Sequence, residues 1–169
     1  MSYTPLPVGK LDAEQLRRLL GGIECRDRSV ILGPGIGRDV AVIDNGAEGY
    51  LLAKSDPITF ATDAIGYYVV NVNANDIATS GGRARWLLAT ALLPENTTTE
   101  AMVAEIFGQI TTACEDLGVT LVGGHTEITY GLDRPIVIGQ MLGEVARGDL
   151  ITPEGLQVGD AIIATKAVP

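Results

Sequence analysis

The stretch Val72-Asn73-Ala74-Asn75-Asp76-Ile77-Ala78 reads as a helical segment carrying amides and one acid, and Gly123-Gly124-His125-Thr126-Glu127 echoes it after a strand-like run. Two polar, acid-bearing sites so far apart in sequence suggest one shared pocket. Asp39 follows the glycine-rich run Gly33-Pro34-Gly35-Ile36-Gly37, and Asp56 lies just beyond Tyr50-Leu51-Leu52-Ala53, so further carboxylates stand at the ends of strand-like runs, where they can converge. Mg²⁺ takes oxygen ligands at about 2.0–2.1 Å and usually keeps several waters, so one or two carboxylates plus phosphate oxygens suffice. The pocket inferred is a site for Mg²⁺ and a nucleotide.

Composition permits this reading and excludes others. A chain of 169 residues is the size of one domain, long enough to bury roughly 70% of its unfolded surface. Hydrophobic residues are 46% and charged residues 20%, ordinary for a globular protein. The formal charge of −9 argues against a nucleic-acid surface, which needs clustered Lys and Arg. It also repels a polyphosphate unless cations bridge the two. Cys25 and Cys114 form no C-x-x-C pair and are expected in the core. Met1 to Lys10 lacks the apolar core of a signal peptide, and no apolar run approaches the roughly 20 residues of a membrane span. A cytoplasmic protein is expected.

Asp12-Ala13-Glu14-Gln15 reads as an N-cap with Gln at N3, opening a helix over 12–21 whose apolar face is Leu16, Leu19, Leu20 and Ile23. Val40–Ile43 and Tyr50–Ala53 flank Asn45-Gly46, a hairpin signal of open turn type. Ile58–Ala61 reads as a short extended piece. A second helix over 66–80, stopped by Gly81-Gly82, carries Asn73, Asp76 and Ser80 on one face. Arg85–Leu93 is a buried strand containing Trp86, which reads as core. Thr97-Thr98-Thr99-Glu100 gives a capping box for a helix over 98–117 with Gly118 at its C-terminal end. Val119–Val122 and Ile136–Val145 read as strands, and 158–166 as a turn leading into another.

Gly37-Arg38-Asp39-Val40-Ala41-Val42-Ile43, Ser55-Asp56, Val72–Ala78 and Gly123-Gly124-His125-Thr126 together resemble, in order over nearly the whole chain, the ATP-binding superfamily of aminoimidazole ribonucleotide (AIR) synthetase, hydrogenase-maturation HypE, thiamine-monophosphate kinase and selenophosphate synthetase. Lys54-Ser55-Asp56-Pro57-Ile58-Thr59-Phe60-Ala61-Thr62-Asp63 is most similar to the AIR-synthase-related, HypE-like branch. The resemblance implies an α+β fold, a mixed β-sheet with packed helices that forms a β-barrel across a homodimer, with ATP near the interface. It implies an ATP-binding, dimer-forming domain over 1–155, with 156–169 as a linker or the first strand of a further C-terminal domain.

The resemblance further implies Asp39, Asp56 and Asp76 as Mg²⁺ ligands, and Gly35, Gly37, Asn73, Gly123, Gly124, His125 and Thr126 at the ATP. Read alone, Asp76 is equally a surface acid or a helix-packing residue, Asn73 and Asn75 shape the helix face, and Gly33, Gly35 and Gly37 form either a phosphate cradle or a plain turn. Many relatives have paired aspartates where this chain has Arg38-Asp39, and an Asp often stands where His125 does. Imidazole is a poor Mg²⁺ ligand, which leaves His125 to contact phosphate or to order its loop. Glu127 could reach a metal but reads first as a solvated loop acid. Lys54 and Lys166 could neutralise phosphate charge, but exposed lysines usually have no special task, and neither is assigned to the site. The implied function is the Mg-ATP-binding domain of an ATP-dependent synthetase or kinase-like enzyme whose small-molecule substrate the sequence does not name. The alternative is a non-catalytic dimerisation or nucleotide-sensing module.

Overall fold

The computed structural model describes residues 5–163. Its elements run α1 (Ala13–Leu20), β1 (Val30–Leu32), β2 (Ala41–Ile43), β3 (Gly49–Ile58), α2 (Ile65–Thr79), β4 (Arg83–Pro94), α3 (Glu100–Leu117), β5 (Thr120–Thr129), β6 (Ile136–Ala146) and a 3₁₀ turn at Pro153–Gly155. One mixed sheet has the order β1-β2-β3-β6-β4-β5. All pairs are antiparallel except β4 with β5. That parallel pair follows from the crossover through α3 between the two strands. The fold is α+β, as the sequence implied.

Alternation along the long strands sets up two unlike faces. Leu87, Ala89, Ala91 and Leu93 of β4, and Val137, Met141 and Val145 of β6, are buried against Val69, Val70 and Ile77 of α2 and Ile106 and Ile110 of α3. Their neighbours Trp86, Leu88, Leu92, Ile138 and Leu142 point to the other face and are only half-buried. No described element forms a second layer there, and α1 buries none of its residues. Trp86 thus belongs to the open face, with the Arg85 guanidinium 5.7 Å from its ring centroid, which corrects its reading as core. The side-chain period of two that makes one face apolar for the helices leaves the second apolar face without a partner.

The helix ends follow local chemistry. Asp12 caps α1, its Oδ1 accepting from the Glu14 and Gln15 amides at 3.0 and 3.2 Å. The N-cap of α3 is Thr99, whose hydroxyl accepts from the Met102 amide at 3.2 Å. The N-cap thus lies two residues beyond the expected Thr97, and no capping box forms because Met102 stands at N3; the Thr98 hydroxyl bonds back to the Pro94 carbonyl. Gly118 ends α3 in the left-handed region at φ 65°. Helix α2 crosses α3 at Gly66, where a β-carbon would lie 2.5 Å from the Ile106 carbonyl. The crossing is fixed by a 2.9 Å bond from the Gly66 amide to the Gln109 side chain. Gly66→Ala is expected to cost about 1–3 kcal/mol in urea unfolding, the range of overpacking.

Other expectations shift in instructive ways. Ile58 is the last residue of β3, a single strand that runs from Gly49 through Pro57, rather than the start of a separate piece. Proline is tolerated because β2 pairs only with Leu51–Ala53, so β3 has a free edge beyond them. Gly123–Glu127 lie within β5, not in a loop after it. Ala161–Ile163 are irregular and exposed, and the rest of the strand expected there falls outside the described residues. Among the described residues no helix is long and apolar enough to cross a membrane.

Cys114 is buried on α3, where burial and then the neighbouring Glu115 charge push its thiol up, whereas Cys25 is exposed, against expectation. A thiol-specific reagent on the native chain is expected to modify Cys25 promptly and Cys114 only after denaturation, read by mass spectrometry.

Candidate functional site

Lys54 and Asp56 stand two residues apart on β3 and so share a face with buried Leu52. That face meets α2. Asp76 lies one turn beyond Asn73 on α2, and the Lys54 ammonium reaches both acids: Nζ is 2.7 Å from Asp76 Oδ2 and 3.4 Å from Asp56 Oδ1. The lysine side chain is only 12% exposed. Burial alone would lower its pKa, but the hydrogen bond and charge of Asp76, followed by those of Asp56, outweigh burial and hold the ammonium above the usual lysine value. The reading of Lys54 as an exposed lysine is corrected. The alternation that places Leu52 inward was the signal that could have found it.

Asn73 explains how Asp56 is held. It is fully buried, its Oδ1 accepting from the Asp56 amide at 2.9 Å. Its Nδ2 donates to the carbonyls of Asp56 at 3.3 Å and Val69 at 2.8 Å. Beyond the end of β2, the side-chain amide supplies the backbone partners that another strand would otherwise give. Gly139 on β6 makes room, since a β-carbon there would collide with the Asn73 amide. Asn73 therefore positions Asp56, its side-chain amide engaged by the backbone groups of Asp56 and Val69.

Asp39 sits elsewhere, in a cleft of about 210 Å³ lined also by Arg38, Thr79, Ser80 and Thr152. Arg38 beside it pairs with Glu154 at 2.9 Å and donates to the Gly33 carbonyl at 3.3 Å. Its stem lies over Gly35, where a β-carbon would come 2.7 Å from Arg38 Cδ. Gly35 is thus explained by arginine packing, and Gly37 by its φ of 75°. Among the described residues no group of three or more His, Cys, Asp or Glu is placed to hold a metal ion. The structure brings Asp56 and Asp76 together and leaves Asp39 outside their group.

Gly123, Gly124, His125 and Thr126 line up on edge strand β5 against Leu88, Ala89, Thr90 and Ala91. Gly124 approaches β4 so closely that a β-carbon would collide with the Ala89 carbonyl. His125 is exposed on the open face, its Nε2 3.3 Å from Glu127 Oε2. Thr126, one residue on, points to the helix side. Register aligns His125 with Thr90, Ile138 and Pro57. With strands about 4.8 Å apart, His125 lies about 14 Å across the sheet from β3, and on the opposite face from Asp56.

The oxygen-only pair suits a hard cation, and it already holds one in the form of an ammonium. A sheet of this order, carrying on one face two helices and two acids gathered around one cation, defines a class that comparison identifies. Residues 37–145 match the family AIR synthase related protein, N-terminal domain, and the chain belongs to that family. It is 35% identical over 104 residues to phosphoribosylformylglycinamidine cyclo-ligase of Agathobacter rectalis, covering 60% of this chain and 30% of that protein. Among solved structures it is similar to AaThiL complexed with AMPPCP and TMP, at 21% identity and a TM-score of 0.66, covering 87% of this chain and 44% of that one. It is also similar to hydrogenase maturation protein HypE in complex with ATP, at 21% identity and a TM-score of 0.54, covering 79% and 37%. The chain thus spans less than half the length of each of these proteins.

Proposed function

We propose that this chain is the Mg-ATP-binding, dimer-forming domain of a cytoplasmic, ATP-dependent enzyme of the AIR-synthase-related family. The observation that carries the reading is the pair Asp56 and Asp76, brought from a strand and a helix onto a single cation. Structural relatives that bind ATP or its analogue AMPPCP add support. Asp56 and Asp76 would hold the metal, with phosphate oxygens and water completing an octahedron that needs only one or two carboxylates. Asp39, in the cleft beside the C-terminal end of α2, would join through the nucleotide rather than by direct contact with the pair. Bound there, Mg²⁺ would neutralise charge on the phosphate being transferred. The chain's own residues orient the donor: Asn73 fixes the Asp56 backbone, and Gly35, Gly37 and Gly123–Thr126 are the remaining candidates for the nucleotide.

Calorimetric titration with AMPPCP, with and without Mg²⁺, tests this reading, and metal-independent or absent binding would refute it. The uncovered apolar sheet face supports the homodimer, since large exposed apolar patches mark association surfaces. Sedimentation at micromolar concentration is expected to show two chains, and a concentration-independent monomer would count against the shared barrel. The chain alone is expected to turn over ATP weakly or not at all, since the matched proteins are about twice its length and substrate positioning and water exclusion need a completed site. The second reading, a non-catalytic dimerisation or nucleotide-sensing module, is favoured by Arg38, a cation beside Asp39 that is tied to Glu154. Turnover by a longer chain containing this domain separates the two.

A further inference from the structure

Lys54 places its ammonium between the two acids that the proposed function assigns to the metal. Its Nζ contacts both Asp56 and Asp76, and its stem rises from the same strand as Asp56, two residues away. The Asn73 amide bonds the Asp56 backbone and so ties β3 to α2 beside the ammonium. A metal ion that took these carboxylates as ligands would compete with Nζ for the same oxygens. Charge works in the same direction. Two carboxylates alone carry −2, and with the ammonium the group carries −1.

We propose that Lys54 is a built-in counter-cation that suppresses divalent-ion binding in the absence of nucleotide, so that the metal enters with the polyphosphate rather than ahead of it. This rests on the reading of Asp56 and Asp76 as the metal-holding pair. When a metal-nucleotide complex arrives, the phosphate oxygens contribute ligands and negative charge that the pair lacks. The displaced ammonium, on its flexible four-carbon stem, stays within reach of those same oxygens. The device also keeps two neighbouring acids, one on the sheet and one on a helix, from repelling each other while the site is empty of nucleotide.

The test is Mn²⁺ binding to the purified 169-residue chain, followed by the electron paramagnetic resonance signal of free Mn²⁺, with and without AMPPCP. For the wild-type chain, binding is expected to be weak with Mn²⁺ alone and much tighter with the analogue. Lys54→Met keeps the stem and removes the charge. It is expected to bind Mn²⁺ alone about tenfold or more tighter, the scale on which a contacting charge shifts a neighbouring equilibrium, and to gain less from the analogue. Lys54→Gln serves the same purpose if Lys54→Met does not fold, and Lys54→Arg, which keeps the charge, is expected to resemble the wild type with Mn²⁺ alone. Nucleotide-free Mn²⁺ affinity in folded Lys54→Met or Lys54→Gln no higher than in the wild type overturns the proposal. Failure of the wild-type chain to bind Mn²⁺ with AMPPCP would instead refute the Mg-ATP reading, and the nucleotide-free comparison would still decide the role of Lys54.

Discussion

Asn73→Leu is expected to be among the most damaging single substitutions in this chain, lowering unfolding stability by about 2–5 kcal/mol. Leucine keeps the branched heavy-atom skeleton of asparagine, so most of the cost comes from hydrogen bonding. It leaves the Asp56 N–H and C=O without the partners they have in the native chain, and each buried polar group left unsatisfied costs about 1–3 kcal/mol. The Val69 carbonyl loses one of its donors as well. Gly139 is shaped to an amide at this point, and a branched side chain would press on β6. Against a typical stability of about 5–15 kcal/mol this is a large share. Urea unfolding followed by circular dichroism measures it, and a loss below about 1 kcal/mol would show that the amide network is not what ties α2 to β3. A distinct consequence follows for the site: the Asp56 backbone would be released, and metal-dependent nucleotide binding would weaken even in conditions where the variant is folded.

The elements that the sequence made legible are those with a local cause. Asp12 capped its helix as its position implied, because a short acid before an apolar stripe satisfies two amides wherever the rest of the chain goes. The hairpin around Asn45-Gly46 was equally local: Gly46 takes φ 80°, and Asp44 accepts from its amide and from Arg147. Arg147 holds the Asp44 carboxyl below the usual range, with the Gly46 amide adding to the effect. What the sequence left hidden depends on contacts between segments far apart. Lys54 resembles any surface lysine until β3 is known to continue past Ala53 and to turn that residue toward α2. Asn73 reads as shaping a helix face, and only the assembled structure shows its amide against the Asp56 backbone; likewise Arg38 folds over Gly35 to reach Glu154, a residue far along the chain. Periodicity gives the side of an element on which a residue lies. The neighbour it meets there is a property of the assembled sheet.

Asp76→Asn is expected to weaken Mg²⁺-dependent nucleotide binding about tenfold to a hundredfold, the equivalent of about 1–3 kcal/mol for one charge-assisted contact. Shape is kept, since the side chain is isosteric and only 20% exposed, and the fold should survive because Asp76 makes no bond to the sheet backbone comparable to those of Asn73. Two effects of the substitution oppose each other. Loss of a carboxylate oxygen removes a metal ligand, which weakens binding. Loss of its charge also frees the Lys54 ammonium from its shorter contact at 2.7 Å, leaving only Asp56 at 3.4 Å, and so makes that cation more available to phosphate. The first should dominate when Mg²⁺ is saturating, and the second should appear as a gain in metal-free AMPPCP binding. Calorimetry with and without Mg²⁺, alongside circular dichroism, measures both, and unchanged Mg²⁺-dependent affinity in a folded variant would remove Asp76 from the site.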